Sequence, residues 1–430
     1  MMQRLTLFIT LLLIILGLEV YIYQALEPAL SQSTWVKIGY YLFQLGAYGS
    51  IMVALFNAQG VKTVGVRSPV SNFFTGAIIA FALPKIMASL FLVLEDVTRI
   101  LRYAWSVSNN YLNHDGALET SLTNRTELFV QLVGLAAVLF CVLLIYGILF
   151  GKYRYKVKEL TIESADLPES FDGYKIVQIS DVHSGTFDSL AKVKKGIDLI
   201  NVQGADLVLF TGDMVNNLAS EIEPFMDIFK SIESKDGKFS ILGNHDYGDY
   251  VRFKSAKDKA RNLEQLITNQ AKMGFTMMRN TKKKIERNGA FINVLGVENW
   301  GKPPFQQHGD LEKAAQGISA DQFTVLMSHD PSHWDYHVKA HTKDINLTLS
   351  GHTHGMQLGI DWLGIKWSPV KYRYRKWAGL YTENNRHLYV NRGFGFLGWP
   401  GRLGIWPEIT VIRLKKLSLA PLPASRDVSG

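Results

Sequence analysis

Seven polar residues that could hold metal ions each follow a short apolar run in the C-terminal two thirds of the chain. They are Asp181, His183, Asp213, Asn244, His329, His352 and His354. Oxygen and imidazole ligands without any sulfur suit Mn²⁺, Fe or Zn²⁺. Seven ligands are too many for a single four- to six-coordinate ion. The sequence therefore predicts two metal ions.

Two pairs of these residues are separated by one position, Asp181 with His183 and His352 with His354. Side chains at i and i+2 of an extended chain point the same way. We therefore expect each pair to present two ligands to one place.

The runs that must position these ligands are rich in β-branched residues and have the length of strands. They are KIVQISDVH, LVLFTGD, FSILGNHD, FINVLGVEN, FTVLMSHD, INLTLSGHTHG, HLYVNRG and EITVIRL. Near-continuous apolar strands are buried on both faces, and ligands gather at their carboxyl ends. Gly212, Gly243 and Gly351 each precede a candidate ligand, where the backbone must turn sharply and pass close to an ion. We predict an α/β domain whose strands end in a metal site.

The motifs DVH, GD, GNHD, SHD and GHTHG, in this order, resemble the calcineurin-like metallophosphoesterase superfamily. The stretch LYVNRGFGFLGWPGRLGIWPEITVIRL resembles the C-terminal end of its YkuE-like branch, so the similarity runs from about Leu160 to Leu414. The resemblance implies a four-layer α/β/β/α sandwich with two mixed sheets. Met356 departs from the branch, which usually has a second glycine there.

The resemblance also implies roles for the candidate ligands. A first metal would be held by Asp181, His183 and His354, a second by Asn244, His329 and His352, and Asp213 would bridge the two. His245 would be a catalytic histidine near the leaving group that binds no metal.

Three further residues are candidates for supporting roles. Arg402 is the best candidate for an extra phosphate contact, because guanidinium suits a bidentate grip; the alternative is an ordinary surface arginine. Asp246 or Asp330 could orient a neighbouring imidazole or could equally cap a helix.

Two divalent ions can hold a hydroxide that attacks phosphorus, so that no protein nucleophile is required. This expectation agrees with the cysteine content, because the only cysteine, Cys141, lies in an apolar run outside the α/β domain. A disulfide within the chain and a thiolate metal site in that domain are thereby excluded.

Four apolar stretches in the first third of the chain approach or exceed the 20 or so residues that cross a bilayer. They are residues 5–26, 38–56, 73–94 and 128–151. The first could be a signal peptide, but no clear cleavage site follows, which favours a retained helix. We predict a four-helix transmembrane region over residues 1–151, an enzyme domain over 152–417 and a disordered tail over 418–430.

Basic residues beside the spans predict the orientation. Lys62 and Arg67 lie between spans two and three, and a further basic cluster follows span four. This pattern places the large domain in the cytoplasm, although Arg99, Arg102 and Arg125 in the third connection argue mildly against it.

Two charged residues, Glu19 and Lys85, fall inside predicted spans and could pair across helices. Ionisable residues within a membrane suggest function by default, but a structural ion pair fits equally well.

The net charge of +8 lies almost wholly after residue 150, where it could serve anionic lipids or phosphorylated substrates. The segment IDWLGIKWSPVKYRYRKWAGLY, residues 360–381, interleaves aromatic and cationic residues directly after the last ligand motif. We expect contact with membrane lipids; plain packing and stacking on single-stranded nucleic acid are the alternatives.

Two further segments have predicted structures. The apolar residues within 255–270 have helical spacing, which predicts either a helix packed on the sheet or a lid over the site. The stretch TKKK at 281–284 is expected to form a solvated hairpin turn.

The sequence as a whole predicts a multi-pass membrane hydrolase with two bound Mn, Fe or Zn ions. Its substrate would be a phosphodiester or pyrophosphate, which we expect to be lipid-linked, as for the UDP-diacylglucosamine hydrolases that share these motifs. No nucleic-acid partner is expected, and the oligomeric state is not predicted. The alternatives are a tethered phosphatase of soluble phosphoesters or nucleotides, and a transporter or channel regulated by its metal domain.

Overall fold

A computed structural model describes residues 17–28, 30–31, 33–58, 68–113, 122 and 124–417. The chain divides into two compact units, one comprising Met1–Gly60 and Phe73–Leu149 and the other Val61–Asn72 and Phe150–Gly430. The beginning of the first predicted span, the residues Lys62 and Arg67, and the predicted tail lie outside the described residues.

The first unit is helical. Residues 17–28 form a helix, which is followed by α1 (Thr34–Ala58), α2 (Pro69–Asn113) and α3 (Glu127–Leu149). Within the described residues, two segments are long and apolar enough to cross a membrane, Pro69–Leu112 and Glu127–Tyr153. Helix α3 is apolar on all sides, as expected for a helix surrounded by lipid.

Helix α2 is longer than the sequence analysis expected. The predicted span ended at residue 94, whereas the helix continues to Asn113. Arg99 and Arg102 therefore lie within this helix. The apolar run marks only the part of a helix that lipid can surround, whereas the helix itself ends where its backbone hydrogen bonds end.

A polar network links three helices of the first unit. Lys85 of α2 forms an ion pair with Glu19, as predicted. Gln44 of α1 donates to Glu19 at 2.5 Å and accepts from Lys85 at 2.6 Å. The charges therefore satisfy each other, which is what apolar surroundings require of ionised groups.

The second unit contains two six-stranded sheets. The first sheet has the order β1 (Lys156–Ser164), β14 (Glu408–Lys416), β2 (Lys175–Ile179), β3 (Leu207–Phe210), β4 (Lys238–Ser240), β5 (Phe275–Met277). The second has the order β12 (Gly379–Glu383), β13 (Arg386–Val390), β9 (Leu347–Ser350), β8 (Thr324–Met327), β7 (Ala290–Gly296), β6 (Thr281–Arg287). A separate hairpin is formed by β10 (Ile360–Trp362) and β11 (Ile365–Trp367). All eight apolar runs noted in the sequence contribute strands.

Both sheets are mixed. Strands β2 to β5 run parallel to one another, and β14 joins them antiparallel to β2. In the second sheet β7, β8, β9 and β13 are parallel, and β6 and β12 are antiparallel edge strands. The parallel strands bring the ends of successive apolar runs to the same side of each sheet.

Helices accompany the sheets in the order α4 (Leu190–Val202), α5 (Met226–Lys230), α6 (Ala256–Lys272) and α7 (Leu311–Ala314). One buried cluster joins residues of both sheets, such as Leu209 and Val325. A second joins the first sheet to helices, through residues such as Phe210, Ile197 and Leu266. Leu266 belongs to α6, so this helix packs in the core. The packed helix was one of the two alternatives predicted for residues 255–270.

The lysine-rich stretch at 281–284 is part of β6, so the prediction of a hairpin turn was wrong. Thr281 pairs with Gly296 and Arg287 with Ala290 along the full length of the strand. Lysines at the edge of a sheet discourage pairing with other chains, which explains a charged strand in this place.

Replacing Lys85 by Met is expected to destabilise the helical unit by about 2–3 kcal/mol, because it leaves the Glu19 carboxylate without its cation in apolar surroundings. The double variant Glu19→Gln/Lys85→Met should lose less than the sum of the two single variants, because no charge is left unpaired. Thermal unfolding of the full-length protein in lipid nanodiscs measures both effects. Additive losses would show that the pair is not coupled.

Candidate metal centre

The predicted ligands follow the carboxyl ends of β2, β3, β4, β8 and β9, and the structure gathers them into two adjacent groups. In each group one ligand atom per residue lies within 4.8 Å of the others. The first group is Asp181, His183 and His354, and the second is Asp213, His329 and His352. All are buried except His352, which is partly exposed.

Asp213 lies between the two groups. Its Oδ2 atom is 3.1 Å from Nε2 of His329 and 3.5 Å from Nε2 of His183. One carboxylate oxygen thus faces histidines of both groups, which is the position that a bridging ligand requires.

Asn244 joins the second group through its side-chain oxygen. This Oδ1 atom lies 2.8 Å from Nδ1 of His352 and 3.2 Å from Nε2 of His329. Its amide nitrogen donates to the hydroxyl of Tyr250 at 2.8 Å. Tyr250, which the sequence analysis did not identify, therefore turns the amide oxygen toward the metal-ligand group.

The ligands converge through left-handed backbone rather than extended backbone. Five of them have positive φ, namely Asp181 (52°), His183 (48°), Asp213 (61°), His352 (70°) and His354 (49°). The expectation that ligands two positions apart converge because the chain is extended was therefore wrong, although each pair does converge. This conformation costs an L-residue about 1–2 kcal/mol, and residues in such conformations cluster at functional sites.

The glycines that precede ligands allow close packing of the motifs. A Cβ atom on Gly351 would lie 2.1 Å from Oδ2 of Asp181, and one on Gly243 would lie 2.2 Å from Oδ1 of Asp213. A side chain at either position would therefore displace a candidate ligand. The prediction that the backbone passes close to the site at these positions agrees with the structure.

Hydrogen bonds at the outer side of two histidines determine which nitrogen faces the site. Nδ1 of His329 donates to the carbonyl of Thr211 at 2.7 Å, which leaves Nε2 for a metal. Nε2 of His352 is 2.8 Å from the hydroxyl of Tyr374, which donates to Asp330 at 3.3 Å. This series of hydrogen bonds places the His352 proton on Nε2, so Nδ1 turns a lone pair toward the site.

Asp330 therefore supports an imidazole, one of the two roles expected for it. Asp246 does not; it accepts the backbone N–H groups of Gly243, Asp213, Met214 and Val215 and holds two ligand loops together. The role of Tyr374 could not be inferred from its position 22 residues after His352.

The protonation states of His183, Asp181 and Asp213 suit a cation. Burial lowers the pKa of His183 well below its usual value, so its imidazole is neutral. Burial alone would raise the pKa values of the Asp181 and Asp213 carboxyls, but neighbouring histidines hold both below the usual range. Ionised carboxylates and neutral imidazoles are the forms that bind metal.

The pKa of His329 also shows that the site favours positive charge. Burial opposes its protonated form, yet the adjacent Asp213 carboxylate raises the pKa of this imidazole to about 10. A metal ion bound by Nε2 would replace that proton, so metal binding would release it.

The residues present fit two metal ions. Among the described residues, neither ring nitrogen of His183 nor Nε2 of His354 has a hydrogen-bond partner, although these atoms are buried. In the second group the lone pairs of Asn244 Oδ1 and His352 Nδ1 face each other at 2.8 Å. Buried polar atoms normally have partners, and a cation in each group would supply them.

His245 lies beside the two groups and is partly exposed. Its Nδ1 donates to the carbonyl of Asn216 at 2.9 Å, and its ring stacks on Tyr250 with centroids 4.4 Å apart. Its backbone N–H donates to Oδ1 of Asp213 at 2.9 Å. Nε2 is therefore the atom left for a substrate.

The structure contradicts the expected role of Arg402 as a phosphate contact. Its side chain is fully buried, and its guanidinium donates to the carbonyls of Gly393, Gly395 and Ile405. One nitrogen also lies 3.2 Å from Nδ1 of His354. Arg402 therefore lies behind a ligand and does not face a substrate.

The fold and the two ligand groups define a metal-dependent hydrolase of phosphate esters, and comparison with known proteins agrees. Residues 174–356 match the family model described as "Calcineurin-like phosphoesterase". Residues 3–152 match a second model, described as "Probable Calcineurin-like phosphoesterase, transmembrane domain".

The relatives include membrane proteins and enzymes. "Uncharacterized metallophosphoesterase YkuE" of Bacillus subtilis is 32% identical over 62% of this chain and 90% of its own length. "Transmembrane protein with metallophosphoesterase domain" of Danio rerio is 28% identical over 66% of this chain and 62% of its own. "UDP-2,3-diacylglucosamine pyrophosphatase LpxG" of Chlamydia trachomatis is 28% identical over 58% of this chain and 86% of its own length. The chain belongs to the calcineurin-like phosphoesterase family, and it is a membrane protein.

Replacing Tyr374 by Phe removes the group that orients His352 and is expected to weaken binding of one metal ion about 10–100-fold. The other ion should bind as before, because Tyr374 contacts only the second group. Titration calorimetry with Mn²⁺ resolves the two affinities. Tyr174→Phe is the matched control, since it removes a buried hydroxyl whose partner, Asp236, lies outside the site. Equal weakening of both ions would refute a specific positioning role.

Proposed function

We propose that the protein is a membrane-anchored phosphoesterase with two metal ions, which hydrolyses a phosphodiester or pyrophosphate bond in a lipid-linked substrate. The proposal includes four membrane spans within residues 1–151 and a four-layer α/β/β/α arrangement of residues 152–417. The convergence of six oxygen and nitrogen ligands on the two sides of a seventh, Asp213, is the observation that carries the catalytic part.

In this proposal Asp181, His183 and His354 hold one ion, Asn244, His329 and His352 hold the other, and Asp213 contacts both. Two such ions, when bound, activate water and neutralise the phosphoryl oxygens. The metals would be Mn, Fe or Zn, given the absence of sulfur ligands.

The protein's own residues would bind and orient the substrate and move the proton. His245 has Nε2 available and Nδ1 held by a carbonyl, so it could protonate the leaving oxygen. Tyr250 packs on its ring and also holds Asn244, so one side chain would align the proton donor with a ligand. The neutral Asn244 limits the negative charge that an anionic substrate would meet.

The lipid-linked substrate is supported by how closely the site follows the membrane span along the chain. Helix α3 ends at Leu149, and Gly151 already packs against the backbone of Arg402, where an added Cβ would be 2.0 Å from the carbonyl oxygen. The guanidinium of Arg402 in turn contacts His354. The unit that carries the site therefore begins directly after the span in sequence, which favours substrates at the membrane surface. The pyrophosphatase name of the Chlamydia trachomatis relative points in the same direction.

The cytoplasmic orientation of the enzyme domain is part of the proposal. It is supported by Lys152, Arg154, Lys156 and Lys158 directly after α3, because basic residues beside spans favour the cytoplasmic side.

Incubation of the full-length protein and Mn²⁺ with a total lipid extract is expected to produce phosphomonoesters, detected by ³¹P NMR after quenching with a chelator. Loss of a hydrogen bond that supports a metal ligand reduces activity about 10–100-fold. Asp213→Asn should reduce the hydrolysis rate by more than that, because it weakens both metal sites. Asp236→Asn, the same change at an exposed carboxylate outside the site, should leave the rate unchanged.

An unchanged lipid spectrum together with rapid cleavage of soluble nucleotides would contradict the lipid-linked substrate and favour a tethered phosphatase. Cleavage of neither class would contradict the phosphoesterase proposal itself.

The polar network of the first unit bears on the transporter alternative. Glu19, Gln44 and Lys85 satisfy one another, which supports a role in joining helices. The variant Glu19→Gln/Lys85→Met should therefore retain its hydrolysis rate in the NMR assay. Loss of hydrolysis in a folded double variant would instead couple these residues to catalysis.

A further inference from the structure

The hairpin of β10 and β11 has its apolar side toward solvent. It follows the last ligand, His354, by six residues and turns at Leu363 and Gly364, which both have positive φ (49° and 80°). Ile360 pairs with Trp367, Asp361 with Lys366, and Trp362 with Ile365.

The register separates the side chains into two faces. Residues directly opposite each other in an antiparallel pair point to the same side, and successive residues alternate. One face therefore consists of Ile360, Trp362, Ile365 and Trp367, and the other of Asp361 and Lys366. The four apolar residues are 46%, 73%, 58% and 36% exposed, and Leu363 at the tip is 75% exposed.

The polar face holds the hairpin to the domain. Asp361 pairs with Arg392 at 2.9 Å and with Lys158 at 3.5 Å. Lys366 donates to the carbonyl of Ala378 and lies over the ring of Trp377, 5.3 Å from its centroid. Ion pairs and hydrogen bonds thus fix the orientation of the hairpin on the domain.

This arrangement is the reverse of a sheet in water, where the apolar face packs inward and the polar face is solvated. A shift of register by one residue would exchange the two faces. Contiguous exposed apolar side chains mark a surface that binds a partner or a membrane.

The residues after the hairpin favour a bilayer as that partner. Lys371, Arg373 and Arg375 are exposed, and within the part of the chain that the structure describes none of them forms an ion pair. Cations beside tryptophans match the anionic headgroup region above the acyl chains.

An ion pair ties the hairpin to the segment that follows the span in sequence. Lys158, the partner of Asp361, follows Leu149 at the end of α3 by nine residues. Asp361 is therefore tied to the first strand that follows the span along the chain.

We propose that the hairpin of residues 360–367 inserts Trp362, Leu363 and Ile365 into the bilayer surface beside the metal centre. Inserted in this way, the hairpin holds the centre at the level of the headgroups, where the phosphate of a membrane lipid lies. The inference deepens the proposed function and rests on it for the lipid-linked substrate.

Fluorescence quenching of a labelled tip tests the insertion. In a Cys141→Ala background, Leu363→Cys carries an environment-sensitive fluorophore, and the full-length protein is placed in nanodiscs of phosphatidylcholine and phosphatidylglycerol. Asn288→Cys is the matched control, because Asn288 and Gly289 form a turn of the same length with similar φ values (51° and 77°) between β6 and β7.

The label at residue 363 is expected to lose most of its emission to spin-labelled lipid and little to aqueous iodide, with the opposite result at residue 288. Iodide quenching at residue 363 equal to the control would overturn the proposal. Protection from both quenchers would overturn it as well, since it would show that protein, such as a second copy of the chain, covers the hairpin.

Kinetics separate this inference from the proposed function. Trp362→Ser should raise KM for substrate in vesicles and leave kcat/KM for soluble bis(p-nitrophenyl) phosphate unchanged. Insertion without cleavage of any phosphate ester would refute only the proposed function, whereas cleavage of lipid with an iodide-accessible hairpin would refute only the insertion.

Discussion

The carboxylate of Asp213 is the point at which the two ligand groups meet, and much of the enzyme domain serves to hold it there. Its Oδ2 faces His183 and His329, and its Oδ1 accepts the backbone N–H of His245. Its backbone carbonyl accepts from Val182 and His183, so the loops after β2 and β3 are joined beyond the sheet itself. A buried carboxylate among histidines is stable only while positive charge balances it, which makes the site a binder of cations.

This constraint explains features that would otherwise be unfavourable. Five ligands adopt left-handed backbone, which surrounding structure must stabilise. Gly351 and Gly243 leave no room for a Cβ atom beside the carboxylates. The carboxylate oxygens of buried Asp246 accept hydrogen bonds from backbone N–H groups of the ligand loops. Local strain and close packing are thus concentrated where the ligands must converge.

Much of the site could be inferred from sequence, because each ligand stands directly after an apolar run and parallel strands bring such positions together. The details that depend on contacts distant in sequence could not be inferred. Arg402 has the chemistry of a phosphate contact, yet the backbone carbonyls that bury it carry no side-chain signal. Tyr374 reaches His352 only through the fold. The lysines of β6 suggested a turn because charge alone does not distinguish a turn from an edge strand.

The same limit applies to the membrane side of the protein. Hydropathy identifies apolar runs, but the extension of α2 to Asn113 and the reversed faces of the β10–β11 hairpin appear only in the structure. Both follow from backbone hydrogen bonding, which composition does not report.

Anomalous diffraction from crystals of the full-length protein grown with Mn²⁺ is the most direct test of the account. Two peaks about 3.5–4 Å apart are expected, one among Asp181, His183 and His354 and the other among Asn244, His329 and His352, both in contact with Asp213. A single peak, or two peaks of which only one contacts Asp213, would contradict a centre built on a shared carboxylate.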